Sequence, residues 1–125
     1  MENRSRQRIG ERGENLAVAE LERQGMVILD RNWRCGVGEV DIVAIDPADE
    51  SSALVFCEVK CRTGLGFGDP LEAITYRKSR KLRQIAAEWL ATHDVTAKQI
   101  RIDAIGVVLQ PNSQPHLRHL RGIGE

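Results

Sequence analysis

The chain is predicted to fold as an α/β protein, a central mixed β-sheet flanked by helices, and three observations lead there. Three apolar segments follow one another between residues 26 and 62, the order of a strand meander. A long helical segment then precedes a fourth strand at Ile100–Leu109, and a connection of that length can return the chain to a parallel neighbour. The middle segment, Glu39 to Ile45, is apolar on both parities, as a strand covered on both faces must be.

The first helix is expected from about Gly10 to Gln24. Leu16, Ala17, Ala19 and Leu21 recur at helical spacing among charges, and Gly25 supplies a stop. Residues 1–9, rich in arginine, read as a flexible arm. Met26 to Trp33 follows as a strand, and Cys35-Gly36-Val37-Gly38 as a hairpin connection to the covered strand. A polar loop leads to the third strand, Ala53 to Arg62. The next connection carries Gly64, Gly66 and Gly68 but lacks the Lys-Ser/Thr of a phosphate-binding P-loop, so it reads as a flexible loop at the edge of a site. Asp69 as N-cap, Pro70 at the first helical position and Glu72 at the capping-box position start the long helix. Its apolar stripe runs through Leu71, Ile74, Leu82, Ile85 and Trp89 to about Thr92. The tail from Gln110 has room for a short edge strand near Leu117 to Leu120, and residues 1–125 form one expected domain.

Composition narrows the function classes. A chain of 125 residues suits one core, burying roughly two-thirds of its unfolded surface. Only 4% of residues are aromatic, so the core is aliphatic and a base-stacking platform is not expected. A net charge of zero argues against a constitutive nucleic-acid coat, although a neutral total can hide a polarised surface. With no apolar signal core and no run near the ~20 residues of a membrane span, a cytoplasmic protein with no membrane partner is expected. Cys35, Cys57 and Cys61 are odd in number and lack CxxC spacing, so they read as plain thiols and not as a disulfide or zinc framework. His93, His116 and His119 lack ligand spacing and are expected on the surface.

Three charged residues stand where burial makes charge costly. Asp41 lies in the covered strand. Glu58 and Lys60 are two residues apart in the next one, so they share a face while Cys57, Val59 and Cys61 point to the other. Such groups persist when paired or bound to a cation, and hard carboxylate oxygens favour Mg2+ or Mn2+. Glu14 stands in helical line with Ala17 and Leu21 and so faces the sheet. Glu39 shares the parity of Asp41 and serves either the site or the turn beside it. Arg77, Lys78, Arg80, Lys81 and Arg83 put five positive charges into seven residues: a phosphate-backbone rail, or a solvated helix face. Lys78 is distinct because it falls on the apolar stripe between Ile74 and Leu82, where it can reach the site.

Gly38-Glu39-Val40-Asp41, followed by Phe56-Cys57-Glu58-Val59-Lys60-Cys61-Arg62, resembles the D…ExK motif of nucleases. With Gly13-Glu14 before Ala17, Glu72-Ala73-Ile74, Trp89-Leu90 and Asp103-Ala104-Ile105-Gly106-Val107, the pattern over residues 8 to 109 resembles the YraN family of bacterial proteins. That family is similar in fold to archaeal Holliday-junction resolvases, which implies a restriction-endonuclease-like fold. The resemblance also implies metal ligands in Asp41, Glu58 and the Val59 carbonyl, a catalytic lysine in Lys60, and Glu14 acting through a water on the metal. The expected function is therefore a metal-dependent endonuclease acting on nucleic-acid phosphodiesters, structured or branched DNA in particular. The alternative is a nucleic-acid-binding or interaction module of the same fold that does not cut. Symmetric cutting of a junction would call for a homodimer, for which the sequence offers no clear interface.

Overall fold

Two strands, β2 (Glu39–Asp46) and β3 (Ala53–Thr63), form the middle of the molecule because both are apolar on both faces. The computed structural model describes residues 2–48, 52–64, 70–74 and 76–124. In chain order the elements are α1 (Glu2–Arg23), β1 (Val27–Arg34), β2, β3, a single 3-10 turn (Pro70–Ala73), α2 (Tyr76–Thr92), β4 (Ile100–Leu109) and β5 (His116–Leu120). The sheet order is β1-β2-β3-β4-β5. Pairing is antiparallel throughout except between β3 and β4, which run parallel after the α2 crossover.

One helix covers each face. On the α1 side, Ala17 and Leu21 pack onto Ile42, Val55, Cys57, Ile105 and Val107. On the α2 side, Leu82, Ile85 and Trp89 pack onto Val40, Val43, Phe56 and Ile102. The Trp89 ring meets Phe56 edge-on with centroids 5.9 Å apart, a favoured aromatic geometry. The α1 backbone lies very close to β3 at Gly13, where a Cβ would stand 2.6 Å from the Cβ of Cys61. That approach lowers the next residue, Glu14, onto the sheet.

Three sequence expectations are corrected. α1 begins at Glu2 and not Gly10, so residues 2–9 continue the helix instead of forming an arm. Ile9 supplies a reason, since it packs against the core on the α1 side. α2 begins at Tyr76 and not at Pro70; Pro70–Ala73 is a separate 3-10 turn closed by the Ile74 N–H on the Leu71 carbonyl at 3.0 Å. Leu71 is docked so tightly over Gly106 of β4 that a Cβ there would lie 2.9 Å from Leu71 Cγ. Tertiary docking thus redirects the chain before the long helix starts. The expected cap at Asp69 and the loop glycines Gly66 and Gly68 lie outside the described residues. Thirdly, only His116 is exposed; His93 stacks on Trp89 at 4.0 Å and His119 is largely buried beside Asp103.

The edge strand expected in the tail is β5, paired from Ala104↔Leu120 to Val108↔His116. Among the described residues, no helix is long and apolar enough to cross a membrane.

Candidate functional site

β2 and β3 pair from Asp46↔Ala53 as far as Ile42↔Cys57. Asp41 is the next residue along β2, at the fork where the two strands part. Its Oδ2 accepts the Val59 N–H at 2.7 Å, so a carboxylate serves a strand donor at the fork. Burial pushes the Asp41 pKa up to about 6, the negative charges of Glu58, Glu14 and Glu39 add to the rise, and the Val59 N–H opposes it.

Glu58 and Lys60 share the α2 face, as their spacing predicts, and form an ion pair with Lys60 Nζ 2.9 Å from Glu58 Oε1. Lys78 approaches this pair from α2, with its amine close to that of Lys60. Burial works against charge on Lys60, but Glu58 outweighs it and the pKa is raised. The nearby Lys60 amine lowers the pKa of Lys78, because two neighbouring ammonium groups oppose each other's charge. Glu58 also borders a recess of about 150 Å³ with Glu39, Lys78 and Lys81. Gly38 makes room for Lys81: a Cβ there would lie 2.8 Å from Lys81 Cε.

Glu14 approaches from the α1 face and is 9% exposed. Its Oε1 accepts Arg31 Nε and Asn32 Nδ2, both at 2.9 Å, while Arg31 Nη2 bonds Asn15 Oδ1 at 2.7 Å. Regular alternation would send Arg31 and Asn32 to opposite faces. Asn32 instead has a φ of 52°, and this left-handed residue lets both side chains meet Glu14. Glu14, Asp41 and Val59 line a cleft of about 920 Å³ between α1 and β3.

The four candidate residues therefore gather around one fork, but from two faces. Glu58 and Lys60 lie on the α2 side, Glu14 on the α1 side, and Asp41 between them, close enough to feel both acids. Among the described residues, no three His, Cys, Asp or Glu side chains form a ready-made metal group. Asp41 and Glu58 are carboxylates at the fork whose oxygens suit a hard divalent cation by donor type, and their like charges oppose each other. Glu14 has one oxygen already engaged by Arg31 and Asn32. Of the basic cluster, Lys78 and Lys81 reach the recess, Arg77, Arg80 and Lys81 line a groove of about 440 Å³ with Val37, and Arg83 is exposed.

A second ionic network lies alongside the β2–β3 pairing, where β4 places Arg101 level with Val55 and Asp103 level with Cys57. Asp103, fully buried, accepts Arg101 Nε at 2.9 Å, Arg101 Nη2 at 3.0 Å, His119 Nε2 at 2.8 Å and the Gly122 N–H at 3.1 Å. Arg101 Nη1 also reaches Asp46 Oδ2 at 3.0 Å. Burial would raise the Asp103 pKa, but His119 and Arg101 outweigh it and the pKa is lowered. The alternation of Arg101 and Asp103 in an otherwise apolar strand was the signal for this network; nothing in the sequence pointed to His119.

A five-stranded mixed sheet with one helix on each face, and acids gathered where two central strands part, is the architecture of a restriction-endonuclease-like α/β protein. Residues 13–107 match the pattern of the family described as Uncharacterised protein family UPF0102. A UPF0102 protein of Mycobacterium avium is 49% identical over 120 residues, covering 96% of this chain and 92% of the other. UPF0102 proteins of Renibacterium salmoninarum and Beutenbergia cavernae are 46% and 45% identical over 121 residues, each covering 97% of this chain and 99% of the relative. The chain belongs to the UPF0102 family, the YraN family of its sequence motifs.

Proposed function

We propose that this protein is a Mg2+- or Mn2+-dependent endonuclease acting on nucleic-acid phosphodiesters, with structured or branched DNA as its substrate. One observation carries the reading: Asp41 and Glu58 are held at the same strand fork, near enough that the second raises the pKa of the first, with Lys60 2.9 Å from Glu58. An acid pair of this kind is costly without a cation and useful with one. Val59 supports the same reading. In an antiparallel pair, a residue's N–H and C=O point to the same neighbour, so the Val59 carbonyl faces the Asp41 side along with the N–H that Asp41 binds.

A divalent ion held by Asp41, Glu58 and the Val59 carbonyl would supply charge neutralisation at the phosphate and a more acidic water. The chain's own groups do the rest. The Val59 N–H fixes the Asp41 carboxylate, and Glu58 holds Lys60 at the fork. Lys60, with Lys78 beside it, presents its amine to a non-bridging phosphate oxygen, and the Glu58 and Asp41 carboxylates offset the two neighbouring positive charges. Glu14, oriented by Arg31 and Asn32, accepts a hydrogen bond from water on the α1 side. Arg77, Arg80, Lys81 and Arg83 carry the flanking backbone without reading sequence.

A second reading, a nucleic-acid-binding module of the same fold that does not cut, is favoured by the pairing of Glu58 with Lys60 and Glu14 with Arg31. Incubation with branched, flapped and linear DNA, with and without Mn2+, separates the two. The nuclease nicks a branched substrate in Mn2+ only, and Asp41→Ala abolishes nicking. Binding without product at any Mn2+ concentration would favour the module.

A further inference from the structure

We propose that the cleft between α1 and β3 is a second phosphate-binding surface, in which Arg6 and Arg62 hold a nucleic-acid backbone against the Asp41 end of the site. The inference rests on the function proposed above and adds a substrate contact on the sheet face opposite α2.

The cleft of about 920 Å³ has an acidic interior, Glu14 and Asp41, and two guanidinium groups in its lining, Arg6 from α1 and Arg62 from β3. Glu14 pairs with Arg31 at 2.9 Å, and Arg6 and Arg62 bring two positive charges to the lining of the cleft. An adjoining groove of about 370 Å³ shares Ile9 and Thr63 with the cleft and adds Arg8 and Arg12. Four arginines thus fringe one continuous lip. The helical state of residues 2–9 matters here: as a loose arm these arginines would have no fixed spacing, whereas in α1 Arg8 and Arg12 stand one turn apart, about 6 Å along the axis.

The chemistry selects a phosphodiester backbone. Guanidinium forks match phosphate oxygens two at a time. Among the described residues, the rest of the lining, Ile9, Gly10, Val59, Cys61 and Thr63, offers no aromatic ring on which a base could stack. An acidic peptide offers the arginines the same charge and serves as the competing ligand in the test. A phosphodiester backbone is favoured because the cleft is continuous with the proposed phosphate site at Asp41. A phosphate can bridge the arginines and a cation held at Asp41.

The test is fluorescence anisotropy with a labelled mixed-sequence DNA duplex in Ca2+, across a salt series, with polyglutamate as the competing probe. Arg6→Ala/Arg62→Ala and Arg6→Ala/Arg12→Ala should each weaken binding about tenfold and reduce the slope of log affinity against log salt by roughly two. The second pair consists of exposed helix positions, so it leaves the fold intact if the first does not. Arg6→Lys/Arg12→Lys should restore the slope. Wild-type slope in both alanine doubles, with weakened binding in Arg77→Ala/Arg80→Ala, would overturn this inference and leave the proposed function standing. Absence of DNA binding by the wild-type protein would overturn the proposed function itself. Tight polyglutamate binding lost in the α1 doubles, without DNA binding, would overturn both.

Discussion

The Asp41 carboxylate accepts the backbone N–H of Val59 at 2.7 Å, one residue beyond the last β2–β3 pair, Ile42↔Cys57. The bond locks the carboxylate at the fork, but burial and three nearby acids still make its charge unfavourable. At neutral pH, therefore, the charged Asp41 carboxylate is disfavoured, a local electrostatic strain.

That strain has a pH signature. The Asp41 pKa is raised to about 6, above the 3.8 expected when unfolded, so the folded state binds the extra proton and stability rises as pH falls through 6 towards 4. In metal-free buffer the melting temperature should be higher at pH 5 than at pH 7.5. Asp41→Asn should flatten this difference and stabilise the protein at pH 7.5 by roughly 1–3 kcal/mol, since each pK unit is worth about 1.4 kcal/mol. Equal pH dependence in the two proteins, by calorimetry, would remove the strain from the account.

Asp103 behaves in the opposite sense. Its pKa is lowered, so its contribution is complete above about pH 4 and is lost as pH falls through the folded value. Asp103→Ala would remove two hydrogen bonds from the buried Arg101 guanidinium and should cost about 3–5 kcal/mol. Denaturant unfolding at pH 7 measures the loss. A cost below about 1 kcal/mol would mean that the network contributes little.

Lys60→Ala should leave DNA affinity within about twofold and reduce turnover by at least a hundredfold. Lys78→Ala should give a smaller turnover defect in the same direction, because Lys78 acts through the neighbouring Lys60. Single-turnover cleavage beside equilibrium binding separates the two effects. Parallel loss of affinity and rate would make both lysines simple phosphate holders.

Gly13→Ala should destabilise the fold by about 1–3 kcal/mol through overpacking, since the new methyl would stand 2.6 Å from Cys61 Cβ. Moving α1 outward would also displace Glu14, so the Arg31 and Asn32 contacts should loosen. Thermal denaturation reads the first effect, and a stability equal to wild type would show that α1 can shift freely.

Much of this arrangement was legible in the sequence because its signals are local. Period-two spacing put Glu58 and Lys60 on one face, and the two-sided apolar strand marked Asp41 as a buried charge. The α1 start was illegible because an arginine-rich stretch interrupted by Gly10 looks the same in an arm as in an exposed helix; only the docking of Ile9 separates them. The α2 start was misread because Asp69, Pro70 and Glu72 give a sound local capping pattern that the packing of Leu71 on Gly106 overrides. The partners of Glu14 were hidden by the left-handed residue Asn32, which breaks the alternation from which side-chain direction is read. His119 meets Asp103 across the β4–β5 pair, and its register on Ile105 is set by the pairing and not by any spacing along one strand.

The central claim is that Asp41 and Glu58 hold one divalent cation, and a Mn2+ titration followed by thermal denaturation tests it most directly. In wild type, Mn2+ at a hundred times its dissociation constant should add about 2.7 kcal/mol of stability. Asp41→Asn and Glu58→Gln should each abolish that increment while remaining folded. A Mn2+-dependent increase that persists unchanged in both variants, or is absent from wild type, would contradict the account.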